Sequence, residues 1–268
     1  ENHLTENHIE NPERVKNIIE YFKQHYLNST IKNITFDETK ITKLIELVHT
    51  KKHIENLKFL NYGKKYCCDC GRLITNETKC FTSCNSDNFE TRSGDTYQTN
   101  SSFKIICEAI NIGKNALDMI KNNQFKYGYM IFRPPSHHAE NERIYGYCLV
   151  NITMIMALYA QSLGYQKIFI FDYDLHANNG TVDIINKLGN DNIYTCSMHC
   201  EFIFPFTGSI KQNNKNIFNI PLQRCSSNNI YNSIFENKVL ELINNINPDL
   251  IIISNGFDAH IDDPFNIM

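Results

Sequence analysis

From residue 103 onward, short apolar runs alternate with longer stretches whose apolar residues recur every three or four positions. The short runs are typical of buried strands, and the longer stretches are typical of helices. The alternation predicts helices over 103–120, 150–162, 182–187 and 228–245, and strands over 127–132, 167–171, 193–196, 216–220 and 250–254. This order predicts an α/β fold, a single domain with a mainly parallel central sheet flanked by helices. The strand over 250–254 is apolar enough to be buried on both faces.

The first hundred residues are less regular. Helices are predicted over 12–26 and 41–58, followed by a loop over 65–100 that is rich in Cys, Ser and Asn. No second core is expected there. A loop of this length favours an insertion or a rim segment that carries function.

Composition excludes several classes of protein. With 268 residues, 42% of them hydrophobic, the chain buries one large core without disulfides. A net charge of -3 argues against a basic surface that binds nucleic acid. No apolar run reaches the length of a membrane span, and the first residues lack the features of a signal peptide. We expect a soluble intracellular protein, nuclear or cytoplasmic, with Cys107, Cys148 and Cys196 as buried free thiols.

Polar clusters follow three of the predicted strands. Ligands bind outside the carboxyl ends of parallel strands, so the three clusters predict one shared site. The first cluster contains the adjacent His137 and His138. On an extended backbone their side chains would point in opposite directions, unless the Pro-Pro turn before them reorients one of the two. A pair of surface histidines is the alternative interpretation.

The second and third clusters indicate a metal site. Strand alternation places Asp172, Asp174 and His176 on one face, and the third cluster adds Asp258. Carboxylates brought together and desolvated repel unless a cation lies between them. Oxygen and nitrogen ligands suit zinc, iron or manganese, and zinc is favoured where three protein ligands leave a position for water. The alternative is that these aspartates cap the helices that follow.

Six motifs appear in order along the chain: Arg133-Pro-Pro-Ser-His-His-Ala, Gly146-Tyr-Cys-Leu-Val-Asn151, Asp172-Tyr-Asp-Leu-His-Ala-Asn-Asn-Gly-Thr181, Ser197-Met-His199, Phe204-Pro-Phe-Thr-Gly208 and Ser254-Asn-Gly-Phe-Asp-Ala-His260. Together they resemble the zinc-dependent histone deacetylase family, and its class II branch best. The segment over 8–15 resembles that family's amino-terminal signature, and Asp95-Thr-Tyr resembles its rim segment. The resemblance covers nearly the whole chain apart from the Cys-rich loop, and implies an arginase/deacetylase-like fold.

The resemblance also implies a mechanism, in which zinc polarises the acetyl carbonyl and activates a water molecule. His138 would act as the general base, and His137 would give electrostatic support. Asp172 would orient His137, and Asn179 would lie beside His138. The implied zinc ligands are Asp174, His176 and Asp258.

The same resemblance implies a substrate tunnel. Tyr147 and Phe204 would form its walls, Gly146 would leave room for the acyl-lysine chain, and Asp95 would accept hydrogen bonds from the substrate backbone. Either aromatic residue has a simpler interpretation as part of the core. A structural K⁺ would be bound with the help of Asp172 and Ser197.

Three departures from the family pattern argue for weak catalysis. Ala177-Asn178 replaces the usual His-Gly, and Phe206 replaces a Gly, where its ring would crowd the tunnel mouth or the turn below it. The family's catalytic Tyr, in a Gly-Gly-Tyr segment, has no counterpart before Met268. The expected domain is therefore a catalytic domain over 1–268, truncated at both ends.

The Cys-rich insertion, at about 65–94, carries a second metal-binding pattern. Its spacing, C-x2-C-x9-C-x3-C, suits a structural zinc site. The alternative is a flexible insertion with reduced thiols. The four residues of the pattern are Cys67, Cys70, Cys80 and Cys84.

The function that these observations predict is deacylation of lysine side chains on protein tails such as histones, in chromatin and transcription regulation. Acetylated protein tails and corepressor-type proteins are the expected partners, without direct contact to nucleic acid or membranes. A small-molecule deacetylase acting on acetylpolyamines is one alternative, which Asp95 and the rim would distinguish. A catalytically weak binding scaffold is the other.

Overall fold

The structure is a computed structural model in which residues 9–25, 35–67, 73–74, 89–265 and 267 are described. The chain divides into two compact units, Glu1–Met156 and Ala157–Met268. Within the described ranges, none of the helices combines the length and the apolar character needed to cross a membrane.

Four helices belong to the first unit: α1 (Glu13–His25), α2 (Glu38–Ile45), α3 (Lys51–Lys58) and α4 (Ser102–Lys121). The prediction of one helix over 41–58 was wrong, because a second helix begins inside that range. The side chain of Thr50 accepts a hydrogen bond from the backbone N–H of His53 and caps the start of α3. The corner between α2 and α3 therefore contains a turn over residues 46–50.

The first unit also contains an antiparallel sheet that the sequence did not predict. Its strands are β1 (Lys64–Cys67), β2 (Leu73–Ile74), β3 (Phe89–Ser93) and β4 (Thr96–Thr99), in the order β2-β1-β3-β4. They lie in the range expected to be a loop, and they bury a small core of Leu60, Cys67, Ile74 and Phe89. The period-two signal was weak because the buried residues of β3 and β4 are mostly polar, such as Thr91, Thr96 and Gln98.

The second unit is built on a parallel sheet. Helix α5 (Ile152–Ser162) spans the division between the units, and the remaining elements are β5 (Ile168–Asp172), α6 (Asn179–Leu188), β6 (Ile193–Cys200), β7 (Ile217–Leu222), α7 (Asn228–Ile234), α8 (Leu240–Ile246) and β8 (Leu250–Ser254). A π-helical turn, Phe235–Val239, joins α7 to α8. The strand order is β7-β6-β5-β8, and every pair is parallel. The predicted α/β class is confirmed.

One face of this sheet packs against the helical segment from α7 to α8. Phe169, Met198 and Val239 are buried in the shared core. All five residues of β5 are buried, so both faces of this strand are covered, and β6 and β8 pair with its two edges. The carboxyl end of a fully buried strand is a rigid support for the polar residues that follow it.

Two predictions about strands were wrong. Residues 127–132 pair with no strand in the described part of the chain, and Tyr127 is 82% exposed. The side chains of Ile251 and Ile253 in β8 are also exposed, although burial on both faces was predicted. β8 is the edge strand of the described sheet, and the face that carries Ile251 and Ile253 is open to solvent there.

A buried ion pair connects two distant segments of the first unit. Arg133 Nε donates to Glu10 Oε1, and Arg133 Nη2 donates to Glu10 Oε2, both at 2.7 Å. Both side chains are almost fully buried. The pair ties the segment before α1 to the residue that starts the motif containing His137 and His138.

We expect Glu10→Gln to lower the free energy of unfolding by about 3 kcal/mol, because the buried Arg133 loses its counter-charge. Glu13→Gln is the matched control, since Glu13 pairs with Lys16 on the surface and should contribute less than about 0.5 kcal/mol. Urea unfolding of both variants measures the difference. Equal midpoints would show that the pair does not stabilise the fold.

Candidate functional site

The carboxyl edge of the parallel sheet gathers two carboxylates and an imidazole. One ligand atom each from Asp174, His176 and Asp258 lies within 4.8 Å of the others. His176 Nδ1 is 3.0 Å from Asp174 Oδ1 and 2.9 Å from Asp258 Oδ2. All three side chains are half-buried. The structure therefore brings together the three residues expected to bind zinc, in an arrangement that suits a metal ion.

A tight turn after β5 creates half of this arrangement. β5 ends at Asp172, so the strand alternation used in the prediction does not extend to Asp174 and His176. Asp172 Oδ1 accepts the N–H of Asp174 at 3.1 Å, and Asp174 Oδ1 accepts the N–H of His176 at 2.8 Å. The turn itself, ordered by these carboxylates, brings Asp174 and His176 to the site.

The neighbouring strand supplies the other half. β8 lies beside β5, with Asp172 and Ser254 in register, and the loop after β8 carries Asp258. Asp258 Oδ1 accepts the backbone N–H of Leu175 at 2.9 Å, which holds the two loops together. Sequence positions more than eighty residues apart thus meet, because adjacent parallel strands end at the same edge.

The electrostatics of the group favour a bound cation. Burial raises the pKa of Asp258, and the charge of Asp174 raises it further. Burial alone lowers the pKa of His176, but hydrogen bonds and charge from Asp174 and Asp258 outweigh it and raise the pKa to about 10. The two carboxylates thus stabilise positive charge beside Nδ1 of His176. An oxygen and nitrogen donor set without thiolate fits zinc with an open coordination position.

Small residues are required around the group. A Cβ atom at Gly256 would overlap the carboxylate of Asp174, and one at Gly208 would overlap the ring of His199 and the Cβ of Ala177. Sequence reasoning did not single out these contacts. Within the described chain, the only signal for them was that both glycines belong to the quoted motifs.

Two aromatic rings border the group. Phe204 meets the ring of His176 edge to face, with centroids 6.0 Å apart, and is half-buried. This position beside the candidate ligand argues against the interpretation of Phe204 as simple core. Phe265 approaches the same ring at 5.4 Å. Phe265 was missed, because no motif or periodicity marks it.

Ala177, Asn178 and Phe206, the residues that depart from the family pattern, fit the structure without the crowding that we expected at Phe206. Ala177 is buried against Gly208, and the buried Asn178 donates from Nδ2 to Thr195 Oγ1 at 2.9 Å. Phe206 is 78% exposed, so its ring does not crowd the turn below it. Its φ of +61° is the left-handed conformation that a Gly adopts without strain.

Asp172 and Ser197 are register partners on β5 and β6, and both are fully buried. Ser197 Oγ lies 2.9 Å from Nδ1 of His199. Their expected role in binding K⁺ stays a prediction. Asn179 is the first residue of α6.

The first unit holds the two adjacent histidines. The ring centroids of His137 and His138 lie 3.9 Å apart, and both side chains are buried. The turn therefore aims both rings to the same side, and they are not surface residues. The backbone N–H of His138 points to Cys148 Sγ at 3.4 Å, and a Cβ at Gly146 would overlap the His138 ring. Gly146 makes room for His138 itself, a role that the sequence did not suggest.

Tyr147 and Asp95 are neighbours in the same unit. Tyr147 has a φ of +64°, and its N–H donates to Thr96 Oγ1 at 3.0 Å. The exposed Asp95 lies in the turn between β3 and β4, directly before Thr96. Burial raises the pKa of Tyr147, and the charge of Asp95 raises it further. Asp95, the expected rim residue, is therefore linked to Tyr147, the expected tunnel wall, through the residue between them, Thr96.

Other predicted residues have mixed outcomes. Cys107, Cys148 and Cys196 are buried free thiols, as predicted. Cys67 is buried in β1, whereas Cys70, Cys80 and Cys84 lie outside the described residues. Two contacts were expected, one between Asp172 and His137 and one between Asn179 and His138. Each would involve one residue from each unit, and both stay predictions.

A sequence profile described as "Histone deacetylase domain" matches residues 8–268. An uncharacterised protein of Synechocystis, slr0245, is 36% identical over 149 residues, which are 54% of this chain and 48% of that protein. Histone deacetylase 6 of Caenorhabditis elegans is 27% identical over 271 residues, which are 97% of this chain and 27% of that protein.

The chain therefore spans half or less of the length of these two relatives. The crystal structure of the HDA15 HD domain superimposes with a TM-score of 0.76 at 24% identity, over 97% of this chain and 71% of that one. This likeness confirms the arginase/deacetylase-like fold. The match of the family profile over residues 8–268, on a chain that joins two carboxylates and an imidazole at its strand ends, shows that the protein belongs to the histone deacetylase family.

Proposed function

We propose that the protein is a zinc-dependent deacylase that hydrolyses the acetyl amide of lysine side chains in proteins. The observation that carries this proposal is the convergence of Asp174, His176 and Asp258 at the carboxyl edge of the sheet. Membership of the deacetylase family supports an amide hydrolase in general. The choice of zinc and of protein substrates is the part that we propose.

Zinc bound by the three residues would polarise the acyl carbonyl and activate a water molecule. His138 is our candidate general base: an imidazole nitrogen would take a proton from water and return it to the lysine amine that leaves. The ring of His138 is buried and packs on Gly146, so its orientation is restricted before substrate binds. His137, 3.9 Å away, would support the charge that develops on that ring.

Protein substrates are favoured by the exposed turn between β3 and β4. The carboxylate of Asp95 stands in solvent directly before Thr96, which in turn holds Tyr147. An exposed carboxylate beside a tunnel wall suits the N–H groups of an extended peptide on either side of the modified lysine. Acetylated protein tails as substrates, corepressor-type partners and a nuclear or cytoplasmic location are parts of this proposal.

The metal assignment predicts about one zinc ion per chain, measured by plasma mass spectrometry of the purified protein. Asp174→Ala and Asp258→Ala should each remove the zinc, because two remaining ligands do not hold it. Asp191→Ala is the matched control, since Asp191 pairs with Lys215 at the surface. Full zinc occupancy in either ligand variant would refute the assignment.

The base assignment predicts that His138→Ala lowers kcat on an acetyl-lysine peptide by about a hundredfold or more, with zinc content unchanged. His25→Ala, at an exposed position of α1, serves as the control. The same assay with an acetylated polyamine separates the two substrate classes. A higher kcat/KM on the polyamine would replace the protein substrate by a small molecule.

The packing of Gly146 predicts a further result. Gly146→Ala should lower kcat by about tenfold or more, because its Cβ displaces the ring of His138. Gly94→Ala carries a similar backbone cost, with φ at +62°, but its Cβ meets nothing within 4 Å. Steady-state kinetics and thermal unfolding of both variants separate the two effects. Equal kcat values would show that the contact with His138 does not matter for the reaction.

A further inference from the structure

The corner between α2 and α3 contains two stacked, buried histidines. The rings of His49 and His53 have centroids 4.3 Å apart and an interplanar angle of 13°. Both side chains are almost completely buried. Burial lowers the pKa of His53 to about 4, and burial together with His53 lowers the pKa of His49 well below its usual value. Both rings are therefore neutral at pH 7.

Each nitrogen of His49 meets a backbone group. Nε2 accepts the N–H of Asn151 at 2.9 Å, so the hydrogen of the neutral ring is on Nδ1. Nδ1 lies 3.2 Å from the carbonyl oxygen of Asn141 and donates to it. A single tautomer satisfies both contacts.

His53 makes a parallel pair of contacts. Nε2 lies 2.9 Å from the carbonyl oxygen of Leu149 and donates to it, which leaves Nδ1 as an acceptor. The hydroxyl of Tyr62 lies within hydrogen-bond distance of that Nδ1. Burial raises the pKa of Tyr62 to about 12, so its hydroxyl keeps its hydrogen, for which His53 Nδ1 and the carbonyl oxygen of Glu142, at 3.2 Å, are the two acceptors.

The backbone groups held in this way belong to one segment, residues 139–151. His49 and His53 contact it at Asn141 near its start and at Leu149 and Asn151 at its end. Asn151 closes the segment by donating from Nδ2 to the carbonyl oxygen of Ala139 at 3.3 Å. The two ends of the segment are therefore fixed to the same corner.

The segment carries the groups on which the proposed reaction depends. Ala139 directly follows His138, and the tip of the segment contains Gly146, which packs on the His138 ring, and Tyr147. Cys148 receives the N–H of His138 and donates its own N–H to Tyr145. A shift at Asn151 or Leu149 would thus reach His138 through the Sγ of Cys148 and through the packing of Gly146 on its ring.

We propose that His49 and His53 are positioning residues, which cross-link the α2–α3 corner to both ends of residues 139–151 and so hold His138 and Tyr147 in place. This inference rests on the proposed function. A rigid ring with one donor and one acceptor can bind two backbone groups on separate stretches of chain, whereas an apolar side chain at position 49 removes the contacts to the N–H of Asn151 and to the carbonyl oxygen of Asn141. Neither histidine belongs to the motifs that suggested the active site.

The test compares three variants of the full chain. His49→Phe keeps the stacked ring but removes both hydrogen bonds, His49→Gln keeps an amide acceptor where Nε2 stands, and His25→Phe makes the same change on the surface. We expect His49→Phe to lower kcat by about tenfold or more. His49→Gln should stay within about threefold of the unsubstituted chain. Zinc content should be unchanged in all three.

Amide hydrogen exchange gives a readout that does not depend on activity. The N–H groups of Tyr147, Cys148 and Asn151 should exchange at least about tenfold faster in His49→Phe, and at the original rate in His49→Gln, while the amides of β5 and β6 stay unchanged. Unchanged exchange and kcat in a folded His49→Phe would overturn the inference. Equal losses in the Phe and Gln variants would indicate only a structural role, and would overturn it as well.

The two proposals can fail separately. A chain without zinc, or one that Asp174→Ala does not affect, contradicts the proposed function, and the exchange rates still decide whether His49 holds the segment. An active chain whose kcat and exchange rates ignore His49→Phe contradicts only the inference about positioning.

Discussion

The candidate site depends on one electrostatic constraint: Asp174 and Asp258 follow adjacent parallel strands, and their carboxylates lie within 4.8 Å of each other. Two half-buried carboxylates at this distance repel, and burial removes the water that would screen them. Here Nδ1 of His176 lies between them, 3.0 Å from Asp174 Oδ1 and 2.9 Å from Asp258 Oδ2. A cation is needed at that point, whether it is a proton on the imidazole or a metal ion held by the same three atoms.

Close packing around this point explains much of the local sequence. Gly256 and Gly208 lie where a Cβ would overlap Asp174 or His199. In the other unit, Gly146 lies where a Cβ would overlap His138. Each glycine permits a backbone to approach a polar ring or carboxylate directly. The precision of such a site comes from these contacts as much as from the ligands themselves, because a displaced ligand loses both its geometry and its hydrogen bonds.

The parallel sheet and its helices could be predicted because their signal is local. The apolar runs that became β5, β6 and β7 are buried as expected, and the helical spacing around α4, α5 and α7 to α8 agrees with the structure. The antiparallel sheet could not be predicted, because buried Thr91, Thr96 and Gln98 carry no hydrophobic period. The absence of a strand over residues 127–132 could not be predicted either, because an apolar run becomes a strand only where another strand is available to pair with it.

The sequence alone determined which residue types stand after which strands, and the resemblance of its motifs to a known family identified Asp174, His176 and Asp258. Only the tertiary structure decided how they meet. A turn ordered by Asp172 and Asp174 takes over where the strand ends, and the pairing of β5 with β8 brings Asp258 across. It alone also revealed His49 and His53, because hydrogen bonds between side chains and a backbone about one hundred residues away depend on distances that no local pattern encodes.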